Sequence, residues 1–436
     1  MSRTIDMRAK RRAPRGAEGI GYYIPRQSAV FTLCSAALAL SCGPPAADAG
    51  IGAAADVRPG IEVLLSDSLH LVEGLRVGLI TNHTGVDREG RSTIDRLHEH
   101  ADIELAALFA PEHGLRGEAQ EGAMIESGVD DRTGAPIHSL YGETRTPTPE
   151  MLEGIDALLF DIQDIGARYY TYVSTMALAM EAAGERGIPF IVLDRPNPIR
   201  GDVVQGNVLE PAYGTFVGMY PVPMRHGMTP AELARLYVGE HGIDVDLKVA
   251  PVSGLNRSMA FDQTGLPWTA PSTNMPTLES ALAYPGTCLF EGTPLSVGRG
   301  TDRAFQWVGA PWLDGDALKR ALDAYGFEGV GFEAVTFTPS APTDGKFDGE
   351  PVSGVRVVGE STTYDAPRVA LALLVETFRA SGDRWEWRVS HFDRLAGTDA
   401  LRLGIDAGQD VDALAADWPR QVRAFQAQRA PYLIYE

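Results

Sequence analysis

The chain has 436 residues, 44% of them hydrophobic and 22% charged, with 38 Lys and Arg against 58 Asp and Glu and a formal net charge of −20. This is a globular composition, and the length suits two domains better than one core. The acidic balance excludes nucleic acid as a partner, because gripping a phosphate backbone rests on Lys and Arg.

The amino end departs from this balance. Arg3, Arg8, Lys10, Arg11, Arg12, Arg15 and Arg26 stand against only Asp6 and Glu18, and an apolar run from Ala29 to Leu40 follows. Ser41-Cys42-Gly43 and a Pro/Ala/Gly-rich stretch to about Gly60 come next. A basic segment, a short apolar one and small residues make an export signal, too short to span a membrane comfortably. Leu38-Ala39-Leu40-Ser41-Cys42 resembles a bacterial lipoprotein signal, in which the cysteine becomes the lipidated first residue; a plain secretory signal cut nearby is the alternative. Residues 1–42 are therefore read as the signal and 43–60 as a flexible linker, which makes the protein exported, periplasmic or anchored by a lipid on Cys42. Without residues 1–41 the chain carries 31 basic and 56 acidic residues, a net of −25, so an acidic substrate needs local arginines. Beyond the signal Cys288 is the one cysteine, which leaves no disulfide within the mature domains and reads as a buried core residue.

From Leu75 strands and helices alternate. Strands are predicted at Leu75–Ile80, Ile103–Phe109, Ala135–Leu140, Ala157–Asp161, Pro189–Leu193 and Asp246–Val252. Helices are predicted at Ser92–His98, at Thr148 and Glu150–Glu153, at Tyr170–Arg186 with Gly187 as its cap, and at Thr229–Glu240 with Thr229 capping. Apolar strands separated by such helices point to βαβ units and a parallel sheet. Residues 262–312 read as loop-rich. A smaller α+β part follows: helix Asp314–Tyr325, strands Gly331–Phe337 and Gly354–Gly359, helix Pro367–Ser381, and helical stretches from Thr398 to Arg429. The expected fold is α/β, a Rossmann-like, mostly parallel sheet domain over 61–258 followed by a loop-rich α+β domain over 259–436 that closes a cleft.

In an open α/β sheet, ligands bind outside the carboxyl ends of the strands. Polar clusters stand at four of those ends: Asn82 and His83; Glu112, His113 and Arg116; Asp161, Gln163, Asp164 and Arg168, just ahead of Tyr170; and Asp194, Arg195 and Asn197. The stretch Phe216–Gly227 adds Tyr220, Arg225 and His226, and the loop-rich region adds Ser272, Asn274, Glu291, Arg299, Asp302 and Arg303. Carboxylates beside arginines and aromatic rings suit a polyol bearing an acidic group. No dinucleotide fingerprint and no GxSxG elbow is present, and no cofactor is expected. Glu112, His113, Asp161, Asp164 and His226 include hard and imidazole ligands, which keeps a metal-dependent hydrolase as an alternative, although no HExxH or paired-His spacing occurs. Several of these residues also have plain structural readings. Asp161 or Asp164 could cap the following helix, His113 and His226 could be hydrogen-bonded loop residues, and Arg195 and Arg299 could brace loops through Asp194 and Asp302.

The segments APEHGLRGEAQEG, PIHSLYGETRTPTPEML, FDIQDIGARYYTYVSTM, LDRPNPIRG, VGMYPVPMRHGMT, PSTNMPTLESALAYPGTCLFEGTPLSVGRGTDRAF and GAPW together resemble the NamZ-type exo-β-N-acetylmuramidases, over roughly Val77 to Glu436. The resemblance implies a Rossmann-like domain without a dinucleotide, a smaller second domain and a site between them. It also implies a glycosidase that removes terminal N-acetylmuramic acid (MurNAc) from MurNAc-GlcNAc units of peptidoglycan, with the glutamate of the EHG motif, Glu112, as its catalytic group. Glycosidases commonly pair two carboxyl groups; Asp164 and Glu291 compete for the second place. Arg116, Arg168, Arg195, Arg225 and Arg299 are the candidates for receiving the lactyl carboxylate of MurNAc, with Arg299 favoured for its flanking Gly298 and Gly300. A surface-tethered sugar-binding or wall-anchoring protein without turnover is the alternative from another class.

Overall fold

The computed structural model describes residues 56–116 and 123–436. The export signal, Cys42, Glu118 and Glu121 lie outside the described residues.

The strands run in chain order β1 (Arg76–Thr81), β2 (Glu104–Ala110), β3 (Gly128–Val129), β4 (Pro136–Ser139), β5 (Ala157–Asp161), β6 (Phe190–Leu193), β7 (Gln205–Val208), β8 (Pro223–Arg225) and β9 (Leu247–Ala250). Seven of them form one sheet in the order β3-β4-β2-β1-β5-β6-β9, parallel throughout except for the β3 edge, while β7 and β8 pair separately as a hairpin. Successive side chains of a strand point to opposite faces, so a sheet covered on both faces needs strands that are apolar throughout. The sheet core obeys this. Val77 and Leu79 of β1, Leu159 of β5 and Ile191 of β6 pack on one face, with Ile61 and Leu64 of α1 (Gly60–Asp67) and Leu97 of α2 (Thr93–His98). Ile80, Leu158, Phe160 and Val192 pack on the other, against Met176 and Met180 of α3 (Tyr172–Glu185) and Leu233 and Leu236 of α4 (Pro230–His241). Thr229 accepts from the Glu232 backbone and Glu232 answers from its side chain, a capping box that starts α4 at Pro230.

The second apolar face continues without a break into the carboxyl-terminal half. There α5 (Leu278–Thr287), β10 (Trp307–Ala310), α6 (Gly315–Asp323), β11 (Val330–Phe337), β12 (Val352–Gly359), α7 (Ala366–Ser381) and α8 (Val389–Ala396) build an α+β part on an antiparallel sheet of order β10-β12-β11. The short helices α9 (Ala400–Asp406) and α10 (Val411–Leu414) and the longer α11 (Trp418–Arg429) complete the chain. The α/β architecture is as expected, and the predicted strands fall within a few residues of the observed ones.

The helix α1 and the short strands β3, β7, β8 and β10 have no counterpart among the predicted elements, and three further elements differ from expectation. The helix expected at Glu150–Glu153 is a single turn that ends at Gly154, whose φ is 74°. The region read as loops contains α5, which Pro285 and Gly286 disguise; Pro285 falls in its last turn, where a missing N–H costs least. And α8 lies ahead of the helical stretch expected from Thr398.

Gly286 lets α5 lie against the backbone of α7. A Cβ there would stand 2.2 Å from the Ala366 carbonyl oxygen and 2.6 Å from the Ala370 Cβ. Neither atom is the end of a flexible side chain, so the helices must separate. Gly286→Ala is expected to destabilise the protein by about 1–3 kcal/mol, the range for overpacking, measured as a lower urea midpoint at unchanged m-value. An unchanged midpoint would show that the two helices tolerate a wider spacing.

Candidate active site

Running along the sheet, the chain moves from β1 outward through β2 to β4, then returns to the other side of β1 for β5, β6 and β9. The reversal places a crevice at the carboxyl ends of β1, β2 and β5. A cleft of about 440 Å³ opens there, lined by loops after β2, β4 and β5 and by segments of the carboxyl-terminal half.

Glu112 enters it from a tight turn. The Gly114 N–H donates to the Pro111 carbonyl at 2.9 Å, and His113 at the corner has φ of 70°. A non-glycine residue in the left-handed region stores about 1–3 kcal/mol of strain and concentrates at functional sites. Phe305, also on the cleft wall, has φ of 65°. Glu112 and His113 are buried to within 6% and 7% exposure, so the turn is packed, not solvated. Thr171, the residue ahead of α3, donates its hydroxyl to Glu112 Oε2 at 2.6 Å and so orients the carboxyl group. The loop after β5 supplies Tyr170 as well, edge-on to Tyr284 of α5 at 5.8 Å between ring centres. On either side of Tyr170, the Tyr169 hydroxyl donates to the Pro285 carbonyl and the Tyr172 hydroxyl to the Pro271 carbonyl at 2.8 Å. These bonds bind the sheet's ligand loop to the far wall.

Glu291 and Arg299 stand on that far wall as an ion pair with both side chains nearly buried. Arg299 Nε donates to Glu291 Oε1 at 2.7 Å, its Nη2 donates to the same oxygen, and its Nη1 donates to Thr343 Oγ1 at 3.1 Å. Burial pushes the Glu291 carboxyl up, but Arg299, aided by His391 and Lys346, outweighs it and holds the group below its ordinary value. Glu291 is thus ionised at neutral pH. Lys346 is itself buried, donating to the Leu295 carbonyl at 2.7 Å and the Phe290 carbonyl at 3.2 Å, and burial lowers it to about 8. Asn274 reaches the same rim, its amide 3.4 Å from Thr343 Oγ1.

Of the residues singled out in the sequence, Glu112, His113, Tyr170, Ser272, Asn274, Glu291 and Arg299 meet in this cleft. The others have partners elsewhere. Asp161 accepts from Arg195 Nε and Thr93 Oγ1, both at 2.5 Å, inside the sheet. Asp164 turns back to the Gly166 N–H at 2.6 Å, with the buried His226 ring 3.6 Å away. That places Asp164 outside the lining of the cleft, and among the two proposed partners of Glu112 only Glu291 shares it. Asn197 holds the Met228 carbonyl and the Ile199 N–H. Arg225 is fully buried on Gln205 and the Ile199 and Thr362 carbonyls. Arg168 is equally buried on four carbonyls, and Arg116 pairs with Asp130 at 3.3 Å on a part-exposed edge. Arg299 does reach the cleft, but its guanidinium is engaged by Glu291 rather than by Asp302. Cys288 is buried as expected and edges the cleft, its sulfur 3.8 Å from Glu291 Oε2.

Sequence reasoning passed over Arg145, Asp344, Arg388, His391 and Arg394, all of which line the cleft. For the last three a signal existed. Val389, Phe392 and Ala396 repeat at helical spacing and Gly397 is a left-handed cap, which together mark α8. Among the described residues no group of three or more His, Cys, Asp or Glu is arranged to hold a metal ion.

Two family descriptions match in succession: "Exo-beta-N-acetylmuramidase NamZ, N-terminal" over residues 77–279 and its C-terminal counterpart over 282–435. The chain belongs to the NamZ family. It is 45% identical over 381 residues to the peptidoglycan β-N-acetylmuramidase NamZ of Bacillus subtilis strain 168, covering 87% of this chain and 91% of that protein. Two crystal structures of DUF1343 family proteins from Bacteroides fragilis NCTC 9343 share the fold. Their TM-scores are 0.81 and 0.70, at 37% and 32% identity, each covering 87% of this chain and 99% of the other. The NamZ family thus carries this α/β fold with its smaller carboxyl-terminal part, and its relatives place the chain among glycosidases.

Removing one partner of a buried ion pair costs about 3–5 kcal/mol, because the other charge is left uncompensated. Arg299→Ala is therefore expected to lower thermal stability at neutral pH and to do so less in acid. A carboxylate whose pKa is depressed on folding stabilises above its unfolded value and loses that contribution as pH falls through the folded one. With Glu291 depressed below 4.5, the difference between wild type and variant should shrink as pH drops beneath that value. Melting curves from pH 7 to pH 3 check this; a constant gap would show that the pair is not ionised.

Proposed function

We propose that the protein is an exo-acting glycoside hydrolase that releases non-reducing terminal N-acetylmuramic acid from peptidoglycan fragments during cell-wall turnover. The observation that carries the reading is Glu112, fixed by Thr171 on a strained turn, in the same cleft as the ionised Glu291. Membership of the NamZ family supplies the substrate class.

Two carboxyl groups divide the work of breaking a glycosidic bond. Glu112 acts as acid and base: it protonates the bridging oxygen as the C1–O bond breaks and the GlcNAc-bearing alcohol leaves. Glu291, kept as a carboxylate by Arg299, faces the oxocarbenium-like centre with negative charge. Water supplies the oxygen that completes the sugar hemiacetal, and its proton returns to a carboxylate. Tyr170, Tyr284 and Phe305 offer rings to the apolar face of the sugar, and Asn274 and Thr343 offer hydrogen bonds to its hydroxyls.

An exported protein, carried by the amino-terminal signal and held at a membrane by lipid on Cys42, fits a substrate made outside the cytoplasm. Radiolabelled palmitate incorporation that vanishes in Cys42→Ala would support the anchor.

The decisive assay is release of MurNAc from the disaccharide MurNAc-GlcNAc. Loss of a positioned acid/base group typically costs about 10²–10⁴-fold in rate, so Glu112→Gln should lose turnover to that extent while still binding the disaccharide. Wild-type protein that binds muropeptides but never turns them over would replace this reading with a sugar-binding one. Loss of activity in excess EDTA, restored by added metal, would favour a metal-dependent hydrolase.

A further inference from the structure

The chain is strongly acidic, yet its cleft is not. Glu112, Glu291 and Asp344 share its lining with Arg145, Arg299, Arg388 and Arg394. Arg299 is engaged by Glu291, and Arg145 has its flat face against the Phe216 and Tyr141 rings, 4.2 and 5.2 Å from their centres. That leaves α8. Arg388, its N-cap, and His391 and Arg394 within it follow one another three residues apart, and all three line the cleft. Among the described residues no carboxylate lies within ion-pairing distance of Arg388 or Arg394.

The histidine between them has a fixed tautomer. Arg394 Nη2 lies 2.6 Å from His391 Nδ1. A guanidinium only donates, so Nδ1 accepts and the neutral ring carries its proton on Nε2. Burial, then Arg394, lowers the His391 pKa to about 4, so the ring is neutral in use. Its Nε2–H is buried and has no hydrogen-bond partner in the protein. A buried donor without an acceptor is costly. The Arg388 guanidinium, the Arg394 donors not given to His391 and this N–H together describe a receptor for an anion rather than a neutral hydroxyl.

We propose that this cluster on α8, chiefly Arg394 with His391 Nε2 and Arg388, receives the lactyl carboxylate of the terminal MurNAc and sets the enzyme's preference for it over neutral sugars. The assignment rests on the muramidase reading above and moves the role from Arg299 to α8. It explains how a chain of net charge −20 admits a negatively charged sugar: arginines left unpaired invert the field locally.

The test compares MurNAc-GlcNAc with the same disaccharide whose lactyl carboxyl is a methyl amide. Hydrogen bonds to a charged group contribute about 1.5–3 kcal/mol, roughly tenfold to a hundredfold in kcat/KM. Wild type should prefer the free acid by that factor. Arg394→Ala should erase most of the preference, mainly through KM, and Arg394→Lys should restore part of it by returning charge without the fork. Arg388→Ala, a second exposed position, should lower the preference less. Equal losses on both substrates in Arg394→Ala would overturn the proposal while leaving the muramidase reading intact, as would erasure of the preference by Arg145→Ala alone. A wild type that cleaves neither disaccharide would overturn both.

Discussion

The arrangement of the cleft depends on one buried cation that takes no part in it. Arg168, on the loop after β5, is fully buried and has no carboxylate partner among the described residues. It donates instead to four backbone carbonyls: Asn207 at 2.8 Å and Val222 at 3.1 Å beside the β7–β8 hairpin, and Leu395 at 3.0 Å and Ala396 at 2.8 Å at the end of α8. Burial lowers its pKa to about 10, which still leaves it charged at neutral pH. Four bonds from its two terminal nitrogens to carbonyls offset the cost of burying the charge, while its Nε–H has no partner among the described residues. The carbonyls at the end of a helix carry partial negative charge, so the last turn of α8 is a natural seat for a guanidinium. Through this one side chain the loop that carries Tyr169–Tyr172 and the helix that carries Arg394 are held in fixed relation. Gly397 completes the joint, since a Cβ there would stand 2.9 Å from the Arg168 guanidinium.

Around that joint the two carboxyl groups proposed for catalysis have different partners. Glu112 sits on a strained turn of the sheet and takes a neutral hydroxyl as its partner; Glu291 sits on the opposing wall and takes a guanidinium. Lys346 reinforces the second environment, and the tyrosine bonds to Pro271 and Pro285 hold the walls together. The same rigidity serves binding, because groups already held in place pay no ordering cost when the sugar arrives.

Much of the fold was legible in the residues, because a parallel sheet covered on both faces needs strands that are apolar without alternation, and Leu158-Leu159-Phe160 or Phe190-Ile191-Val192-Leu193 admit no other reading. The turn at Glu112 was legible for the same reason: a strand that stops at Pro111 and yields to charged residues and glycine marks a sheet's ligand end. What the sequence could not separate was the polar residue that faces the cleft from the one that faces inward. Asp161 and Arg195 follow neighbouring strands, β5 and β6, as Glu112 follows β2, yet they find each other 34 residues apart and close the crevice between their loops. Arg168 and Arg225 look like substrate ligands by type and position, and only tertiary contact with carbonyls more than 200 and 130 residues further on shows them to be braces. Conversely α8 carries its own helical signal, but nothing local says that its arginines meet a turn near residue 112.

The central claim is that a MurNAc-terminated sugar lies with its glycosidic oxygen at Glu112 and its lactyl carboxylate at α8. A crystal structure of Glu112→Gln soaked with MurNAc-GlcNAc tests it directly. The account predicts the bridging oxygen within hydrogen-bonding distance of the side chain at position 112, Glu291 facing the anomeric carbon, and the lactyl carboxylate within about 3 Å of Arg394 or His391 Nε2, the range of a charge-assisted hydrogen bond. A disaccharide bound in the cleft with its carboxylate directed to solvent, or with its bridging oxygen remote from position 112, would contradict it.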